Sequence, residues 1–152
     1  MPDTTDITLK VSSAAFSEGG HIPEKYTCEG ENINPPLDIS GFPEETKTFA
    51  IIVEDPDVQQ GVFDHWLTWN IFPNEPIVEN NTTGTNGRNS FGTEGYSGPC
   101  PPSGSHRYFF KVYALNTRLN LLAGSDKKAL QGAMEGHIIA HGEVMAHYKK
   151  NC

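Results

Sequence analysis

The sequence predicts a mainly β protein, an antiparallel β-sandwich with one or two short helices, on three observations. Apolar runs at 48–53, 63–72 and 108–115 carry the β-branched and aromatic content of strands. Fifteen glycines and eleven prolines punctuate the chain, as short strands joined by turns require. A single stretch, 125–134, reads convincingly as a helix. The 152 residues are expected to form one domain, long enough for a core that needs neither metal nor disulfide staples.

Taken in order, Ile7-Thr8-Leu9-Lys10-Val11 alternates apolar and polar residues and is read as a half-buried first strand. Gly19–Pro23 and Gly41–Glu45 are turns, with an irregular polar stretch between them that ends in an extended edge at Asn34-Pro35-Pro36-Leu37. Thr48–Val53 is nearly all apolar, as a strand covered on both faces should be. Pro56 is expected to stop it, leaving Asp55 and Asp57 at the strand's C-terminal lip. In the third run, period two puts Phe63, His65, Leu67, Trp69 and Ile71 on one face. Residues 74–94 form a long loop, functional or mobile, with Asn86-Gly87 as a tight turn and Arg88 as a solvated charge. Ser125 is the expected N-cap of the helix. The tail from Ile138 to Tyr148 alternates, and Gly136 and Gly142 disfavour one long helix, so it is read as a last strand.

Composition narrows the partners. A net charge of −8 argues against nucleic acid and anionic membrane surfaces, which select basic proteins. It leaves room for a small anion held by local donors. The acidic, polar first six residues lack the character of a signal peptide and no run is long enough to span a membrane, so the cytoplasm and no membrane insertion are expected. Cys28, Cys100 and Cys152 show no metal-finger spacing; free thiols are the default, with a Cys28–Cys100 bridge left open.

The working part is placed at 95–108. Three prolines and three glycines in the ten residues from Gly95 to Gly104 make a stiff loop, and the strand-like run from Tyr108 follows. Such a loop sets His106 and Arg107 on the lip of a buried strand, where backbone N–H groups, an imidazole and a guanidinium suit an anion. The plain alternative is an inter-strand turn. Asp55, Asp57, His65, His106 and Tyr108 then gather at strand ends, although His65 also fits a hydrogen-bonded core histidine. A carboxylate beside the histidines is expected to raise their pKa. Two histidines and a carboxylate could hold a metal, but no HxH or HExxH spacing supports it, and neither metal nor cofactor is expected. Cys100 could be an activated nucleophile, yet between two prolines it is better read as filling a small gap.

Several spaced motifs in order resemble the phosphatidylethanolamine-binding protein family, also called the Raf kinase inhibitor protein family, in its short bacterial and archaeal branch. They are Tyr26-Thr27-Cys28-Glu29-Gly30, Asn34-Pro35-Pro36-Leu37, Asp55-Pro56-Asp57, Phe63-Asp64-His65-Trp66, Gly98-Pro99-Cys100-Pro101-Pro102, then Gly104, His106, Arg107 and Tyr108, and Glu135–Ala140. The resemblance implies a β-sandwich whose small pocket binds phosphate, phosphoryl headgroups or similar anions. Asp55, His65, Cys100, Pro101, Pro102, His106 and Tyr108 would line it, while Asp57 supports the loop and Arg107 braces Asp55-Pro56-Asp57. It implies a non-catalytic binding module, a regulator of a kinase or protease partner, and a homodimer. The alternative is a hydrolase or metal-dependent enzyme using the same pocket. Phe63 and Cys100 stand where animal relatives commonly have tryptophan and glycine, and those relatives' C-terminal helix has no counterpart.

Overall fold

The computed structural model describes residues 7–80 and 83–150. The acidic first six residues and Cys152, expected as a free thiol, lie outside them. The elements are β1 (Lys10–Ser12), β2 (Asp38–Ser40), β3 (Thr48–Val58), β4 (Gly61–Ile71), β5 (Thr85–Asn86), β6 (Ser105–Leu115), α1 (Lys127–Met134) and β7 (Ile138–Lys149), with a 3-10 turn at Glu24–Tyr26. Five strands make one antiparallel sheet in the order β5-β4-β3-β6-β7, and β1 pairs with β2 in a second, small sheet. The expected sandwich is the observed fold.

Alternation along the central strands divides the core in two. Ile51 and Val53 of β3 and Tyr108, Phe110, Val112 and Ala114 of β6 face one way, beneath Leu9, Phe16, Ile22, Tyr26 and Leu37. Ala50 and Ile52 face the other way and meet Leu130 and Met134 of α1. The first layer positions the site, because Asp55 and His106 extend its rows toward one end of the sheet.

Several boundaries differ from expectation for identifiable reasons. The first strand is Lys10–Ser12 rather than 7–11; Thr8 makes a parallel bridge to His141 instead. β3 does not stop at Pro56 but reaches Val58. The β3–β4 register breaks between Asp55 and Val58, so proline's missing N–H costs no ladder bond there. The five β4 residues do not share a face. Register shifts near His65 and at Asn70, whose φ is 59°, put Leu67 and Trp69 with α1 and return Ile71 to the other core. Asn86-Gly87 is no hairpin turn. Asn86 pairs with Thr68, and a Cβ on Gly87 would lie 2.8 Å from the Trp69 ring. Asp126, not Ser125, caps α1, its carboxylate accepting from the Ala129 N–H at 2.9 Å.

The long tail is a strand, as read. Its outer edge is not open: Leu9 N–H donates to His141 O, Gly19 N–H to Met145 O and Ile22 N–H to His147 O.

Candidate functional site

The strand ends bring the distant residues together. Asp55, His65, Cys100, Pro101, Pro102, His106 and Tyr108 line one cavity of about 130 Å³. Asp55 arrives on β3, His65 on β4, and His106 and Tyr108 on β6, which begins at Ser105 and so takes His106 and Arg107 out of the loop. Arg88 is exposed. His21, His137, His141 and His147 do not line the cavity.

Asp55 is 2% exposed and its two oxygens are committed. Oδ1 accepts from the Asp57 N–H at 2.7 Å, and Oδ2 lies 2.6 Å from His106 Nδ1. With Nδ1 held by a carboxylate, Nε2 is the ring nitrogen left to the cavity that His106 lines. His65 Nδ1 lies 2.7 Å from Ser97 O, a carbonyl that can only accept, so Nδ1 carries a proton and Nε2 is again the available nitrogen. Burial pushes the His65 pKa below its ordinary value, outweighing the Ser97 carbonyl and the Asp55 charge. The expected upward shift is thus reversed at His65: desolvation of an imidazolium among aromatic rings wins.

Tyr108 packs edge-on against His65, ring centroids 5.3 Å apart, and is 1% exposed. Its hydroxyl makes no hydrogen bond of full geometry among the described residues. Burial, the Asp55 charge and a weak hydrogen bond toward the Asp55 carboxylate push its pKa up, so it stays a neutral O–H.

Asp57 and Arg107 make the outer brace. Arg107 donates to Asp57 from its backbone N–H at 2.9 Å, from Nε at 3.0 Å and from its guanidinium at 2.8 Å. That pairing holds the Asp57 carboxyl down at about 2. Neither residue is among the lining of the small cavity.

The wall opposite comes from the Gly/Pro loop. Ser97 N–H donates to His65 O at 3.1 Å, Gly98 N–H to Asn32 Oδ1 at 2.7 Å, and Tyr96 Oη to Tyr26 O at 2.7 Å. Cys100 is bonded to Cys28, which overturns both the default of free thiols and the reading of Cys100 as a gap filler. The bridge also removes Cys100 as a nucleophile in this state. Among the described residues no group of three or more His, Cys, Asp or Glu is placed to hold a metal ion.

Sequence reasoning missed three lining residues: Val58, Phe63 and Phe91. Phe91 packs on Phe63 and His65 with centroids 4.6 and 5.6 Å away, yet is 49% exposed at the rim. An aromatic in a loop otherwise rich in Asn, Thr and Gly was the available signal. A wider groove of about 770 Å³ adjoins the cavity, sharing Val58, Phe63, Pro102 and His106 and adding Gln59, Gln60 and Ser103.

An antiparallel β-sandwich with an Asp/His/Tyr pocket at one end of its central strands is the class of protein that fold and geometry define. The chain belongs to the phosphatidylethanolamine-binding protein family, whose description matches residues 12–149. A UPF0098 protein of Pyrococcus horikoshii is 48% identical over 155 residues, covering 95% of this chain and 78% of that one. A crystal structure of a putative phosphatidylethanolamine-binding protein homologue from Chlamydia trachomatis superposes with a TM-score of 0.90 at 41% identity, covering 95% of this chain and 99% of that one. YbcL of E. coli, described as a member of the mammalian family, gives 0.86 at 31% identity, covering 94% and 99%.

Proposed function

We propose that the pocket binds a small oxyanion, a phosphate or the phosphoryl group of a larger molecule, and that the protein is a non-catalytic binding module. The observation that carries this reading is the shared cavity, which His65 and His106 line with Nε2 uncommitted and which the buried Tyr108 hydroxyl, a donor with no bond of full geometry among the described residues, helps to line. The cavity's volume is that of about four waters, which suits one tetrahedral oxyanion and excludes a drug-sized ligand. Against a net charge of −8, attraction must come from such local groups. A substituent on the anion leaves through the adjoining groove, whose Gln59, Gln60 and Ser103 offer neutral polar contacts. A kinase or protease partner would meet the protein at this mouth.

Calorimetry with inorganic phosphate tests the reading through Tyr108→Phe, which keeps the ring and removes the donor. The variant is expected to bind phosphate about ten- to a hundredfold more weakly, as loss of one hydrogen bond to a charged group implies. Equal affinity in variant and parent overturns it.

A further inference from the structure

We propose that the Cys28–Cys100 disulfide is a thiol-exchange site that sets the anion affinity of the pocket, a proposal that rests on the anion reading above. The bridge joins residues 72 apart in sequence, and Cys100 is itself part of the pocket wall. Cys28 is exposed and Cys100 half-buried, so a thiolate arriving from solvent meets the bridge at Cys28.

The wall depends on that bond. Hydrogen bonds hold Tyr96, Ser97, Gly98 and Pro99 to the body of the protein, and β6 begins at Ser105. Between these anchors, Pro101 and Pro102 have no N–H to give, and no hydrogen bond among the described residues fastens 100–104. The disulfide is the one crosslink found on this stretch among the described residues, and the stretch supplies three lining residues of the pocket.

The exchange is a balanced two-step reduction by a small thiol or dithiol. The reductant's thiolate attacks Cys28 Sγ, a mixed disulfide forms there, and the Cys28–Cys100 bond breaks with its electron pair leaving on Cys100. A second reductant thiolate attacks the mixed disulfide, frees Cys28 and carries the reductant away as its own disulfide. Cys100 is left as a thiol or thiolate on the wall of a cavity that already holds the Asp55 carboxyl. A loosened wall and an added ionisable sulfur both lower affinity for an anion; re-oxidation restores it.

The test uses the full chain in its bridged form and after treatment with dithiothreitol followed by anaerobic desalting, with inorganic phosphate as the calorimetric probe. The reduced chain is expected to bind phosphate about tenfold more weakly. The double variant Cys28→Ser, Cys100→Ser should bind more weakly than the bridged chain and ignore dithiothreitol. Brief exposure to glutathione should place the adduct on Cys28 by peptide mapping. Phosphate binding that is equal in both redox states overturns the gating, and an adduct on Cys100 overturns the direction of attack. Binding in neither state overturns the anion reading itself, and the gating with it. Circular dichroism and thermal melting accompany each titration: a reduced chain that has lost its sheet overturns the proposal, which requires an intact fold with a loosened wall.

Discussion

His106 Nδ1 lies 2.6 Å from Asp55 Oδ2 although the two residues are 51 apart in sequence, and both are buried. The contact crosses from β6 to β3, so the same pair orients an imidazole and ties together the two central strands at the pocket end. Asp55 accepts twice, from His106 and from the Asp57 N–H.

Asp55→Asn should therefore switch the His106 tautomer. An amide has one acceptor oxygen, and keeping it for the Asp57 N–H turns the NH₂ toward His106 Nδ1, which must then accept. The proton moves to Nε2. Nitrogen-15 NMR of the imidazole should report this exchange, and stability should fall by about 1–3 kcal/mol. An unchanged tautomer would show that the carboxylate does not set it.

His65 predicts acid sensitivity. Its folded pKa lies below the ordinary value of 6.5, so between the two values the unfolded chain binds more protons. Stability is full above about pH 6.5 and falls with pH until the folded pKa is reached. His65→Gln should flatten the melting temperature in the window just below about pH 6.5, whatever it does to the absolute value. An unchanged slope in that window would remove His65 as its source.

The Asp57–Arg107 pair acts in a different window. Asp57 is lowered from 3.8 to about 2, so its stabilisation is present above the unfolded value and is lost as pH falls through about 2. Arg107 is about half exposed, and solvent screening keeps the pair's contribution small. Arg107→Ala should cost little at neutral pH, less in high salt, and nothing once Asp57 is protonated. A loss that persists at low pH would point to packing over Phe109, whose ring centroid lies 5.5 Å from the guanidinium carbon.

Gly98→Ala tests the pocket wall by crowding. A Cβ there would lie 2.0 Å from Tyr26 O, a backbone atom, so the two segments must part. Destabilisation of about 1–3 kcal/mol or more is expected from urea unfolding. Gly132→Ala, where a Cβ meets nothing within 4 Å, is the control and should stabilise slightly by helix propensity. Equal behaviour of the two variants would mean the wall yields freely.

What the sequence determined by itself was mostly local. Period-two patterning and β-branched content located Thr48–Val53, Tyr108–Leu115 and the last strand, because side-chain alternation is a property of each strand alone. Seven of the residues that line the cavity were legible because they fall at strand ends and in the Gly/Pro loop within recognisable motifs. Where the strands slip against one another was not legible. Bulges near His65 and at Asn70 reassign faces along β4, and a bulge depends on the partner's register rather than on the bulged strand's own pattern. Pairing of Cys28 with Cys100 likewise required the loop at Tyr26–Gly30 to be laid beside the Gly/Pro loop, which the Cys28 N–H to Pro99 O bond and the Gly98–Asn32 bond do. The direction of the His65 shift was decided the same way. A nearby Asp argued for a raised pKa, but only the packed structure says how completely water is excluded, and at 3% exposure desolvation outweighs the carboxylate.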